Sequence, residues 1–200
     1  EMCAIIAFRK RRSDSNLEVR VTRTADLGYP NLYAAYPIVD VETRDLLKEV
    51  EWDSRRLTPS VVGIFFQNLI VQIIRVTEQR MHEIKRKVAY ELEALRKPFL
   101  AFNCDFDRYV IFGLCGRYFP FVDIQEFYGQ TKEQAKKYHQ IKVADVFNGN
   151  GVTAVEYYKK YEETGDREFL EKIIQHNQSC LITEQILTET LIVNGTLRLP

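Results

Sequence analysis

The sequence predicts an α/β domain in which helices flank a mixed sheet. Three observations carry that reading. The first part of the chain is a series of β-branched runs, among them Ile38 to Thr43, Val61 to Gln67 and Leu69 to Val76. The middle alternates helical periodicity with short apolar runs, and the last stretch, from Val152 to Leu191, is helical in pattern.

The elements follow in order. Cys3 to Phe8 and Leu17 to Thr22 read as two strands around the polar loop Arg9 to Asn16, an N-terminal hairpin. Leu27 to Pro37 is a connection rich in Tyr, Pro and Gly, and Ile38 to Thr43 is a short buried strand. Asp45 to Thr58 is polar and irregular and holds the lone Trp52. Val61 to Gln67 and Leu69 to Val76 are strands joined by a tight antiparallel turn at Gln67-Asn68. Glu78 to Arg96 is a helix, because Ile84, Val88, Leu92 and Leu95 form a stripe at helical spacing, and Lys97-Pro98 ends it. Phe99 to Phe102 reads as a buried strand, Asp105 to Tyr118 as a helix, Phe121 to Phe127 as a strand and Thr131 to Tyr138 as a short helix. The helices Val152 to Glu163 and Arg167 to Leu191 are separated by Thr164-Gly165-Asp166, a C-cap glycine followed by an N-cap aspartate. With no internal repeat, low-complexity segment or linker, residues 1–200 read as one domain, of which 1–36 form an N-terminal extension.

Composition narrows the function classes. An apolar fraction of 46% and a charged fraction of 28% are those of an ordinary globular domain. Lys+Arg 28 balance Asp+Glu 28, so no overall field advertises nucleic acid or membrane, although a local groove can still be basic. The cysteines Cys3, Cys104, Cys115 and Cys180 are scattered without CxxC pairing, which argues against a zinc site and for a reducing, cytoplasmic setting. No apolar run reaches the roughly 18 residues of a membrane span. Arg9 to Arg12 follow the first apolar stretch instead of preceding it, so no signal-peptide layout is expected.

Three segments carry candidate chemistry. In Ile38-Val39-Asp40-Val41-Glu42-Thr43, strand alternation points Asp40 and Glu42 the same way. Two like charges side by side are unfavourable unless a cation lies between them, although an isolated pair also fits a solvated strand edge. Phe102-Asn103-Cys104-Asp105-Phe106-Asp107 leaves a strand and enters a helix, at the end of a sheet where ligands collect; Asp105 or Asp107 could instead cap that helix. In the last helix, His176 and Cys180 share a face, with Glu184 one turn further on.

In order, Asp40-Val41-Glu42-Thr43, then Asn103 to Asp107, then His176-Asn177-Gln178-Ser179-Cys180 resemble the DEDD superfamily of 3′–5′ exonucleases, nearest to the branch related to the proofreading domain of B-family DNA polymerases. The resemblance covers roughly residues 37 to 192. It implies a ribonuclease H-like fold carrying an extra N-terminal β-hairpin. It further implies two-metal phosphodiester hydrolysis with Mg²⁺ or Mn²⁺ at single-stranded DNA or RNA ends. In that reading Asp40 bridges both ions, Glu42 holds the ion of the nucleophilic water, Asp107 supports the other, and His176 orients or deprotonates the water. Thr43, Asn103 and Asn177 would meet substrate. The resemblance departs at Cys180, which stands where the family has an aspartate ligand; a thiol suits Mg²⁺ poorly, and Glu184 is the candidate substitute. The alternatives are a catalytically degenerate member that binds nucleic acid or a protein through the same cleft, and a structural subunit in which these residues are coincidental.

Other polar groups have plainer readings. Arg9 to Arg12, with Arg20 and Arg23, fit a solvated hairpin as well as a phosphate contact; Lys85-Arg86-Lys87 fit a solvated helix face; some of Tyr157, Tyr158 and Tyr161 must be core; Asp123 takes no ligand role.

Overall fold

The computed structural model describes residues 17–75 and 81–200. The expected strand Cys3 to Phe8 lies outside the described residues. The described chain forms one six-stranded sheet in the order β1-β4-β3-β2-β5-β6. Its strands are β1 (Leu17–Arg23), β2 (Ala34–Thr43), β3 (Pro59–Gln67), β4 (Leu69–Arg75), β5 (Phe99–Ala101) and β6 (Phe121–Asp123). β1 to β4 pair antiparallel, whereas β2, β5 and β6 run parallel, so the sheet is mixed as expected. The helices are α1 (Met81–Ala94), α2 (Cys104–Cys115), α3 (Gln125–Tyr128), α4 (Lys132–Tyr138), α5 (Gly151–Thr164) and α6 (Arg167–Val193).

Strand alternation sorts the core into two faces. Val39, Val41, Val62 and Ile73 pack on Ile84, Val88 and Leu92 of α1 and on Val110 and Ile111 of α2. Ile38, Phe65, Ile70 and Leu100 pack on Leu181, Ile182 and Leu187 of α6. A third cluster joins Val61 and Ile74 to Tyr158 and Tyr161 of α5 and to Leu170, Ile173 and Ile174 of α6, so those tyrosines are core. Each fully buried side chain of this size contributes about 1.5–3 kcal/mol. The caps read from sequence are present: Gly165 ends α5 in the left-handed region at φ 71°, and the Asp166 side chain accepts from Glu168 N–H at the start of α6.

Two boundaries differ most from the sequence reading. β2 begins at Ala34, not Ile38, because Ala34 still pairs with Gln67 across an irregularity that spans Pro37, the position where a strand tolerates a missing N–H. The run Phe121 to Phe127 is not one strand. Its strand ends at Asp123, whose carboxylate accepts from the N–H groups of Asn103, Cys104 and Gln125, and a helical turn follows. Arg20, raised as a phosphate contact, is committed to Glu18 and Glu171 at 2.5 Å.

Candidate active site

β2 and β5 are parallel neighbours that share one register pair, Ile38 with Leu100. Beyond it α2 enters the gap. The Val41 N–H donates to Asp107 Oδ1 at 2.8 Å, which fixes this buried carboxylate against the backbone between Asp40 and Glu42. Asp107 is therefore no helix cap, and Asp105 is an exposed residue paired with Arg108.

Val39 and Val41 belong to the α1–α2 core, which leaves Asp40 and Glu42 facing α6. Across the sheet Asp40 is level with Gly63, and Gly63 with Gln72. Asn177 bridges over that row: its Nδ2 donates to Asp40 Oδ2 at 2.7 Å and to the Asp40 carbonyl at 3.1 Å, and its Oδ1 accepts from Gln72 Nε2 at 2.8 Å. Only a glycine fits beneath it, since a Cβ at position 63 would lie 2.8 Å from both Asn177 Cγ and Leu181 Cδ1. Asn177 is fully buried and does not line the cleft. Expected to meet substrate, Asn177 has its amide turned inward onto Asp40 and Gln72.

The other α6 residues divide between two ends of the site. At one end, His176 Nε2 lies 3.7 Å from Glu42 Oε1 and 3.8 Å from Cys180 Sγ. His176 Nδ1 meets Asp145 Oδ1 at 2.7 Å, and Asp145 accepts from the N–H groups of Phe147 and Gly149. Burial works against the charge of Asp145, but these partners prevail and hold its pKa at about 2. At the other end, Glu184 Oε1 accepts from Lys132 Nζ at 2.7 Å and Oε2 from Phe102 N–H at 3.2 Å. Lys132 Nζ is 3.8 Å from Asp40 Oδ1. Glu184 thus sits toward Asp107 and Lys132, and not beside Glu42 where the sequence reading would have used it as a substitute.

Charge in this pocket is unbalanced. Burial, followed by the neighbouring Asp40, pushes Glu42 up to about 8. Burial, then Asp40 and Glu184, raises Asp107 well above the usual carboxylate range. Glu184 rises to about 7, again through burial and Asp40, although Lys132 pulls it back. Burial disfavours the Lys132 charge, yet Cys180, Glu184 and Asp40 outweigh it and hold the ammonium on. Burial also raises the Cys180 thiol. Crowded buried carboxyls with raised pKa values cluster at functional sites.

Asp40, Glu42, Asp107, Lys132, His176 and Cys180 line one cleft of about 730 Å³, together with Thr43, Asn103 and Trp52. Thr43 Oγ1 donates to the Asp45 carbonyl at 3.0 Å, and Trp52 stands 76% exposed. The sequence reading missed Lys132 and Asp145. Lys132 carried a faint signal: the Thr131-x-x-Gln134 capping box places it in the first turn of a helix, where a cation opposes the helix dipole. Asp145 lies in an irregular segment and carried none.

Residues 38–192 match a family model described as RNase_H superfamily. The chain belongs to the RNase H superfamily. The match begins just before Asp40 and runs into the last turns of α6, so every cleft residue named above lies within the RNase H domain, while β1 lies outside it. No curated protein and no solved structure matches the chain significantly. An RNase H-like domain points to nuclease-type chemistry on nucleic acid, and the superfamily typically uses divalent metals. No helix among the described residues is long and apolar enough to cross a membrane.

Proposed function

We propose that the chain is a metal-dependent 3′–5′ exonuclease acting on single-stranded DNA or RNA ends. The observation that carries this reading is the convergence of Asp40, Glu42 and Asp107 on one cleft, with the buried Glu184 ion-paired to Lys132 beside them. The donor set fits hard divalent cations: Asp40, Glu42 and Asp107 would hold Mg²⁺ or Mn²⁺. Bound there, such ions supply an activated water and stabilise charge on the leaving oxygen.

The chain's own residues supply the rest. His176, its Nδ1 fixed on Asp145, keeps Nε2 on the cleft side to receive a proton. Lys132 presents an ammonium to a phosphate entering the cleft. The exposed ring of Trp52 offers a face on which a terminal base stacks. Thr43 and Asn103 line the path of the strand end.

Incubation of the chain with a 5′-labelled single-stranded oligonucleotide and Mg²⁺ or Mn²⁺ tests the reading. Stepwise shortening from the 3′ end is expected, abolished in Asp40→Asn. Internal cuts without a ladder would refute the exonuclease assignment. A specific observation favours a second reading, a non-catalytic nucleic-acid-binding member: Lys132 already occupies the space between Asp40 and Glu184, and Cys180 stands where the resemblance expects an acid. Retention of the oligonucleotide without cleavage in either ion would establish it.

A further inference from the structure

We infer that Glu42, His176 and Cys180 form a Zn²⁺-selective site at one end of the cleft, a carboxylate–imidazole–thiolate triad that leaves a fourth position open. The inference rests on the reading above in naming the ion at the Glu42 end; it replaces Mg²⁺ or Mn²⁺ there, and with the ion bound His176 Nε2 is a ligand and not the proton acceptor.

Three observations carry it. The donor atoms of the three buried residues all lie within 4.8 Å of one another. Their spacing fits a tetrahedral ion. Zinc bonds of roughly 2.0–2.3 Å at tetrahedral angles set N···O and N···S separations of about 3.4 and 3.6 Å. The observed 3.7 and 3.8 Å lie within a few tenths of an ångström of these. Octahedral Mg²⁺, with bonds of about 2.0–2.1 Å, needs neighbouring donors roughly 3.0 Å apart, and a thiol is the wrong partner for it.

The third observation is the support behind the histidine. Asp145 accepts from His176 Nδ1, so the lone pair of Nε2 points to Glu42 and Cys180; this carboxylate–histidine arrangement stands behind many zinc-binding imidazoles. Asp145 is itself held by the N–H groups of Phe147 and Gly149, which makes the arrangement rigid. The scattered cysteines argued against zinc because the sequence shows no paired spacing; here the donors come from β2 and α6 and meet only in the fold. Loading releases to solvent the Cys180 thiol proton and any proton held by Glu42 or His176 Nε2, and thiolate and carboxylate together offset the charge of the ion. All three side chains line the cleft, so the fourth position faces it, the layout of a zinc site that handles water instead of one that only braces a fold.

The test uses the chelator-treated full chain with Zn²⁺ or Co²⁺ alone and no nucleic acid. One Zn²⁺ per chain should survive dialysis in the presence of excess Mg²⁺. Co²⁺ should give an intense visible spectrum of tetrahedral type and a near-ultraviolet thiolate-to-cobalt band. Cys180→Ser should abolish that band, whereas Cys104→Ser and Cys115→Ser should leave it. Asp145→Asn should weaken Zn²⁺ binding about 10–100-fold. Cobalt bound without a thiolate band, a band that survives Cys180→Ser, or Mg²⁺ displacing Zn²⁺ at equal concentration would each overturn the site. The readout is separate from hydrolysis. A cobalt band in a protein that cleaves nothing sustains the zinc site and removes the exonuclease reading; Mn²⁺-dependent cleavage without a band does the reverse.

Discussion

Gly63→Ala adds one methyl group in the middle of a bridged row. Asn177 spans from Asp40 to Gln72 directly above Gly63, and the new Cβ would lie 2.8 Å from Asn177 Cγ and Leu181 Cδ1, where ordinary contact is 3.4–4 Å. Backbone holds the glycine on both sides, through pairing with Asp40 and with Gln72, so α6 must give way. Overpacking of this kind costs about 1–3 kcal/mol. Displacing Asn177 also disturbs its hydrogen bonds to the Asp40 carboxylate, the Asp40 carbonyl and Gln72, each worth a net 0.5–1.5 kcal/mol or so. The expected loss is roughly 3–7 kcal/mol, a large share of the ~5–15 kcal/mol of a typical domain. Urea unfolding of metal-free protein measures it. The double variant with Asn177→Ala removes the clash with Asn177, leaving only the contact with Leu181, and should be less destabilised than the two single losses together by at least ~1 kcal/mol. A Gly63→Ala protein within about 0.5 kcal/mol of wild type would show that Asn177 does not lock the row.

The pH dependence of the metal-free protein follows from carboxyls that bind protons more tightly when folded. Glu42 at about 8 and Glu184 at about 7 contribute stability that is full below 4.5 and lost as pH rises through those values, at about 1.4 kcal/mol for each pH unit separating the folded from the unfolded value. Asp145 acts oppositely: its contribution holds above 3.8 and is lost as pH falls toward 2. Denaturant midpoints should therefore decline between pH 5 and 8, and excess divalent metal should flatten the curve; a flat metal-free curve would contradict the crowding. Lys132→Met leaves the buried carboxyls without their ammonium and should cost about 3–5 kcal/mol at pH 8, with less loss at pH 5 and partial restoration by Mn²⁺, all read by thermal denaturation. Asp107→Asn should abolish cleavage at little cost in stability because an acceptor remains for Val41 N–H, whereas Asp107→Ala should also lose about 1–3 kcal/mol.

What the sequence revealed was local or periodic. The stripe of Ile84, Val88 and Leu92, the Gly165-Asp166 boundary and the same-face placement of Asp40 and Glu42 each depend on spacing within one element, and each is visible in the chain. The extent of β2 was hidden because its first residues pair across an irregularity that spans Pro37, which reads as a loop. Asp123 was hidden because the run Phe121 to Phe127 alternates like a strand, while the three N–H groups that stop it come partly from the start of α2. Lys132 reaches the cleft, and Asp145 the histidine behind it, from segments whose paths are decided by packing against α6, and their partners Glu184 and His176 lie 52 and 31 residues away in sequence.

On the proposed exonuclease reading, the bond from Val41 N–H to Asp107 gives one acid two employments. Where β5 leaves β2, a backbone donor loses its strand neighbour, and the carboxylate of α2 takes the vacated place. A descendant that stopped cutting nucleic acid would still be held to an acceptor at position 107 by folding alone. Its persistence in a relative is therefore no witness to activity. Glu42, whose neighbours in the cleft are the side chains of Asp40, His176 and Cys180, has no such second duty to the sheet, and its loss or retention is the better record of whether a lineage kept its chemistry.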